Sequence, residues 1–451
     1  MRRRTLIAGF VAMSIAASAM LAGCGYNESS GSGTAEKSTS SALSSTAAEK
    51  VKLDITWWGG EVRHQYTQEL LDMYTKKNPE VTFSATPTSW DGYFEKLATQ
   101  TAGGSMPVIS QMDYLYITTY AKNKTVADLN PFIKDGTIDA SHIDEALLKS
   151  AQIAGIQSGM PLSTSMLTFP FNPSVLKEAG LQAPTSDWTW EDFEKMCLQI
   201  TEKTGKYGFA QNYNDITVFR YWLREHGQTL FSDDNKKLAY NDDKLLSDFI
   251  DIYKRLTDAK SMPTPDEWVT ISTNSVESGP VPTNKAGFNY ASNTYAEMVS
   301  KVNDTIQLNT PPVLKSGERA LWLKPGMYFC VADTASDAEK KAAAKFINWF
   351  LNSEEAASKI GTERGIPASS VVRDFLTKST LTQGQKKMFD YYETAAQHSG
   401  ECPPPDPQGI SEVNKLFSDT MDTVMYNKAT SKEAAAEFRT KADEILARIN
   451  K

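Results

Sequence analysis

Hydrophobic positions change period along this chain, and the changes mark its elements. Val51, Leu53, Ile55 and Trp57 alternate with Lys52, Asp54 and Thr56, the period-two pattern of a half-buried strand. From Glu61 to Lys77 the apolar positions Val62, Tyr66, Leu70, Met73 and Tyr74 fall at helical spacing until Asn78-Pro79 stops them. Val81–Ala85 predicts a second short strand and the stretch from Gly92 to Ala102 a helix. After a glycine-rich turn, Val108 and Ile109 belong to a third apolar run. Two late helices carry start signals of their own. Ser336 and Glu339 form a capping box ahead of the stripe Ala343, Phe346, Ile347, Phe350 and Leu351. Thr430 with Glu433 does the same for Phe438, Ala442, Ile445, Leu446 and Ile449. Strands alternating with helices imply an α/β protein with a largely parallel sheet.

The N-terminus follows a different pattern. Arg2, Arg3 and Arg4 precede an uncharged stretch from Thr5 to Gly23, the positive and apolar regions of a secretory signal peptide. As a membrane span, Leu6 to Ala22 is short, about 17 residues, and rich in Ala, Ser and Gly. It ends in Leu21-Ala22-Gly23-Cys24, which resembles the bacterial lipobox, whose cysteine is lipidated and becomes the new N-terminus. One acyl chain anchors only marginally at about 0.8 kcal/mol per buried methylene, whereas a diacylglyceryl group supplies the two chains that stable anchoring needs. Gly25 to Lys50, dominated by Ser, Thr, Gly and Ala, cannot bury enough apolar surface to order itself. As a random coil it would span roughly 30 Å, a leash holding a globule clear of a membrane. The expected division is therefore a signal peptide over residues 1–23, a lipidated cysteine and tether over 24–50, and a folded body from 51.

That body is too long for one ordinary hydrophobic core and suggests two lobes. Hydrophobic residues make up 40% of the chain and charged residues 23%, ordinary for a globular protein, and no later segment is apolar for long enough to span a bilayer. The formal net charge is −8, more negative once the three leader arginines are removed, and no Lys/Arg cluster follows the leader. Nucleic acid, which needs a basic surface, is not the expected partner. The four cysteines are Cys24, Cys197, Cys330 and Cys402. With Cys24 lipidated, the other three are expected as isolated thiols, two buried in a helix and a strand, with a Cys330–Cys402 bridge left open. Without C-x-x-C, H-E-x-x-H or a histidine pair at i, i+4 among His64, His142, His226 and His398, no metal site or cofactor is expected.

Several segments, in order, carry a resemblance. They are Ile55-Thr56-Trp57-Trp58-Gly59-Gly60, Tyr93-Phe94-Glu95-Lys96-Leu97 through Gly103-Gly104-Ser105-Met106-Pro107, and Gln111-Met112-Asp113-Tyr114. Val126-Ala127-Asp128-Leu129-Asn130-Pro131, Thr189-Trp190-Glu191-Asp192-Phe193, Ala344-Lys345-Phe346-Ile347 and Glu363-Arg364-Gly365-Ile366-Pro367 follow. Together they make the chain resemble the extracellular solute-binding proteins of ABC importers, in their carbohydrate-binding branch. The chain departs from the family where Pro107-Val108-Ile109 stands for Pro-Asp-Val and Phe171-Asn172 for Tyr-Asn. The resemblance implies a two-lobed periplasmic-binding-protein-like fold, each lobe a mostly parallel sheet flanked by helices, hinged over a ligand cleft. By analogy lobe one is residues 51–163 plus 292–351, and lobe two is 164–291 plus 352–451. It also implies a monomer that captures a sugar or oligosaccharide without catalysis and delivers it to the permease subunits at the outer membrane face.

Ligands in open α/β sheets lie beyond the carboxyl ends of the strands, so the loops directly after strands hold the candidates. A sugar is gripped by an aromatic plane and a rim of bidentate polar side chains. Trp58 is the stacking candidate, because Trp57 continues the inward alternation and Gly59 gives backbone clearance; the alternative is that both tryptophans are core. Gln111 and Asp113, two apart, would point the same way in extended chain, or else cap a helix from Tyr114 to Lys122. Trp222 beside Arg220 is a lobe-two candidate or a buried helix face, and Trp268 follows the loop Pro263-Thr264-Pro265-Asp266. Tyr290, Ser292 and Asn293 match the family's ligand-lining region; Arg364 reaches the cleft or makes a structural ion pair. Trp188 and Trp190 are expected to pack at a helix start formed by Thr189 and Asp192. A peptide receptor on the same scaffold stays open, and an anchored glycoside hydrolase is the rival enzyme. The latter needs a carboxylate pair about 5–10 Å apart, and none of the 55 acids is marked as one.

Overall fold

The computed structural model describes residues 50–211, 216–271, 276–314 and 320–450. Cys24, the leader and the tether up to residue 49 lie outside them. The alternating segment at the start forms the strand Val51–Thr56, paired in parallel with Val81–Ala85 on one side and Ile109–Met112 on the other. The strand Lys324–Val331 then runs antiparallel to both Ile109–Met112 and Met160–Ser165, and Ile366–Pro367 closes the edge of a six-stranded sheet. Helices Glu61–Lys77 and Asp337–Asn352 cover it with the expected stripes, Leu70 and Tyr74 from one, Phe346, Ile347 and Phe350 from the other.

Beyond Ser165 the chain enters a second body of different make. The parallel sheet expected there is present, among the described residues, only as short pairs. Tyr207–Phe209 pairs in parallel with Ala286–Phe288, and Leu167–Thr168 antiparallel with Ala291–Ser292. Its core is filled by the helices Trp190–Thr204, Thr217–Glu225, Lys244–Asp258, Ile410–Met425 and Ser431–Ile449. Phe219, Phe249, Phe417 and Phe438 stack through its middle, with ring centroids 5.3 to 5.9 Å apart along the series.

The hydrophobic clusters place the passages between the bodies. Residues 292–323, expected with lobe one, send Tyr295, Val299 and Ile306 into a satellite cluster and Ala320 to Leu323 into the second core. From residues 352–368, expected with lobe two, Ala356 and Ala368 join the first core. Cys197 lies in a helix and Cys330 in a strand, both buried, and with Cys402 they are free thiols. Among the described residues no helix is long and apolar enough to cross a membrane.

Candidate ligand-binding site

A cavity of about 540 Å³ opens between the two bodies. One wall is the helix Tyr114–Lys122, which begins at the carboxyl end of the strand Ile109–Met112. Tyr114, Ile117, Tyr120 and Ala121 turn inward, so Leu115, Thr118, Thr119 and Lys122, spaced i, i+3, i+4, i+7, present the opposite face to the cavity. Asp113 starts this helix by accepting the backbone N–H of Leu115 at 2.9 Å. Burial raises the carboxyl's pKa against the opposing pull of that bond and of Lys324.

The facing wall comes from the second body. Arg220 and Arg224, one helical turn apart, both line the cavity and both hold the proline-rich connector after Glu401. Arg220 pairs with Asp406, and its guanidinium stands 5.5 Å from the Phe231 ring. Arg224 donates to the carbonyls of Ala320 and Glu401, each at 2.7 Å, and lies 5.3 Å from the Trp322 ring. The connector reaches the first body as well, since the Tyr114 hydroxyl sits 3.3 Å from Cys402 Sγ. Burial pushes the Cys402 thiol up to about 11, so it is a neutral packing group.

An aromatic rim continues the first wall. Thr86 and Thr88 hydrogen-bond to the carbonyls of Ile55 and Trp57, laying the loop after Val81–Ala85 beside the loop after Val51–Thr56. Gly92, at φ +80°, turns the chain from that loop into the helix Tyr93–Ala102, a conformation favoured by glycine. Trp90 thereby stands over Trp58 at 5.2 Å and Phe94 at 5.4 Å, and Phe94 carries Tyr116 in a stack at 3.7 Å. Trp90, Leu115 and Tyr116 are exposed, by 44%, 39% and 37%. Neither Trp90 nor Tyr116 stands out in the sequence reading. Trp90 was legible by the rule that singled out Trp58, because it too follows a strand.

The structure places the sequence candidates as follows. Trp58 is buried beneath Trp90, Tyr93 and Phe94. At Gly59 a Cβ would meet the Arg63 stem at 2.5 Å, and Arg63 crosses here to donate to the Trp58 carbonyl and to Glu363. Gln111 and Arg364 come together in the interior of the first body. Gln111 Nε2 donates to the Trp58 carbonyl at 3.2 Å while its Oε1 accepts from Arg364. Arg364 also donates to Thr67 at 3.0 Å, so its partners are neutral groups rather than an acid. Trp222 is buried, its indole N–H given to the Leu245 carbonyl at 2.9 Å. Trp268 packs half-buried on the satellite cluster, and Tyr290 is buried near Phe169 and Phe209. Ser292 is exposed and bonds Thr294. Asn293 is buried at the crossing, where Oδ1 accepts from the Met166 N–H at 3.1 Å. Of these candidates Asp113 and Trp222 belong to elements that line the cavity, Asp113 as the cap of one helix and Trp222 on the buried face of the helix that carries Arg220 and Arg224.

What this groove can do is bind. It offers hydroxyl, ammonium and carboxylate groups from Thr118, Thr119, Lys122 and Asp233 on facing walls, with the Phe231 ring in its lining. Among the described residues, no three or more His, Cys, Asp or Glu are grouped to hold a metal ion. Residues 60–357 match the family described as bacterial extracellular solute-binding protein. The chain belongs to that family.

Members are binding proteins that act outside the cytoplasm, and the expected two-lobed α/β architecture is theirs. A family 1 extracellular solute-binding protein from Alicyclobacillus acidocaldarius is 26% identical and superposes with a TM-score of 0.80, over 88% of this chain and 99% of that one. A periplasmic oligogalacturonide binding protein from Yersinia enterocolitica, in complex with saturated digalacturonic acid, is 25% identical with a TM-score of 0.69, over 89% of this chain and 100% of that one. A lactose-binding protein of Rhizobium radiobacter is 24% identical over 195 residues, 43% of this chain and 46% of that protein. The chain thus spans less than half the length of this curated relative.

Proposed function

We propose that this solute-binding protein captures an oligosaccharide in the groove between its two bodies and delivers it to an ABC permease. In this reading a diacylglyceryl group on Cys24 tethers it to the outer face of the cell membrane. The observation that carries the reading is the cavity of about 540 Å³, with walls from different bodies; the helix that forms one wall also bears Tyr116, part of an exposed aromatic cluster with Phe94 and Trp90. A ligand touching both walls favours the closed arrangement over the open one, and the crossings at Ser165-Met166 and Lys324 are where the chain would flex. The names of the relatives, a lactose-binding protein and an oligogalacturonide binding protein, agree with a glycan ligand.

The test is thermal unfolding of the purified mature chain against neutral and uronic-acid oligosaccharides. A glycan at 100 times its Kd adds about 2.7 kcal/mol and raises the midpoint. A broad glycan panel with no shift, alongside a shift with peptides, would overturn the sugar assignment. For the tether, Cys24→Ala should abolish incorporation of labelled fatty acid and release the protein from the membrane fraction.

A further inference from the structure

A much smaller void, about 20 Å³, lies in the first body beside Arg364 and Ser163. It has room for one water-sized occupant. Two polar atoms on its lining residues, Arg364 Nε and Ser163 Oγ, are buried without a hydrogen-bond partner. The two residues expose 4% and 1% of their surface. Every other contact of Arg364 is to a neutral group: Gln111, Met327 Sδ at 3.2 Å, Thr67, and the rings of Tyr66 and Phe350 at 5.6 and 5.5 Å. The adjacent carboxylate, Glu363, is engaged by Arg63 and Tyr66. Two guanidiniums therefore share one carboxylate, leaving one positive charge unbalanced in a buried setting, which is strongly unfavourable.

We propose that this void binds a small monovalent anion, a halide of chloride's size, held by the Nε–H of Arg364 and the hydroxyl of Ser163. The donor set selects the occupant. Both groups have a hydrogen to give, and the rest of the lining is mostly apolar side chains, among them Leu162, Phe350 and Val372, together with Gly361 and Gly365. A water could accept from Arg364 Nε–H and exchange a hydrogen bond with Ser163 Oγ, but it would leave the charge unbalanced. A monatomic anion accepts only, and it cancels the unbalanced charge. Sulfate, phosphate and carboxylates exceed the space. The anion would fix Arg364, which holds Gln111, whose amide holds the Trp58 carbonyl, so three contacts link it to the aromatic rim.

Crystals of the full chain grown with bromide in place of chloride test this directly. The expected result is an anomalous peak within hydrogen-bonding reach of Arg364 Nε and Ser163 Oγ, much weakened in Ser163→Ala. In solution, replacing gluconate by chloride at constant ionic strength should raise the melting midpoint along a saturating curve. Ser163→Ala should move half-saturation to about tenfold higher chloride, with the loss of one bond to a charge. A void holding only water, without anomalous signal, or a midpoint indifferent to chloride overturns the proposal. Because Ser163→Ala leaves the arginine network in place, neither result depends on a variant that fails to fold, and neither depends on the sugar reading.

Discussion

Two aromatic clusters in this protein use the same residue types and end differently. In the first body Trp58 packs edge-on against Trp90 and Tyr93 at 5.2 and 5.3 Å, next to the Phe94–Tyr116 stack. In the second, Trp222 meets Trp190 at 5.3 Å and His226 at 4.5 Å, with Phe249 at 6.0 Å. The second cluster is enclosed, since Trp190 and Trp222 are both buried and His226 sits half-buried on the Trp222 carbonyl. The first ends in Trp90 and Tyr116, which are 44% and 37% exposed. Tryptophan content alone therefore does not locate a site. A cluster can offer a binding surface only where its outermost rings stay open to solvent.

Removing a ring from each cluster separates the two cases. Trp222→Ala opens a cavity and removes the indole bond to the Leu245 carbonyl, and should destabilise the protein by about 3–5 kcal/mol in urea unfolding. The fraction that stays folded should bind its ligand within twofold of the parent. Loss of binding at unchanged stability would move the ligand to the second cluster and break the comparison. Trp90→Ala should do the reverse. It removes a half-exposed plane, so stability should change by less than about 1 kcal/mol while glycan affinity falls about tenfold by calorimetry. A Trp90→Ala protein with full affinity would leave the aromatic rim without a role.

A smaller effect sharpens the picture at the head of the cavity-lining helix. Asp113→Ala removes the cap on Leu115 and should lose about 1 kcal/mol, while Asp113→Asn should keep most of it. If Asn restores stability but not affinity, the carboxylate also meets the ligand. Equal rescue of both would make Asp113 a cap alone.

How far the sequence spoke depended on whether a feature was local. The boxes at Thr189/Asp192, Ser336/Glu339 and Thr430/Glu433 all form as read, and the helix Glu61–Lys77 has its expected bounds. These features rest on neighbours within a turn or two. The passages between bodies depend instead on distant pairings, such as Asn293 with Met166 and Lys324 with Ser165, and no local signal marks residues 292–323 as belonging with the second body. Gln111 shows another limit. Alternation separates inside from outside only when a strand has one wet face, and Ile109–Met112 is buried at every position. Arg364 was open between cleft contact and ion pair. The structure gives it neutral partners, visible only once Gln111 and Thr67 converge on it.

An effect of similar size concerns the carboxylate of Glu363, held by the Arg63 that also bonds the Trp58 carbonyl. Glu363 accepts from Arg63 Nε at 2.9 Å and from the Tyr66 hydroxyl at 2.6 Å. Burial pushes its carboxyl up, but these bonds and the nearby guanidiniums outweigh burial and hold its pKa below the usual value. A carboxyl that ionises more easily folded than unfolded stabilises the protein fully above its unfolded pKa of about 4.3. That contribution disappears as pH falls through the lower folded value. Glu363→Gln should therefore be less stable than the parent at pH 7, by about 1 kcal/mol because the side chain is partly exposed and screened. The difference should shrink below about pH 4, read as converging urea midpoints at pH 7, 5 and 3. Trp222→Ala should keep its full deficit across the same range, since it changes no charge. A Glu363→Gln deficit undiminished at pH 3 would mean that shape and packing, rather than the ionised carboxylate, hold this corner of the first body together.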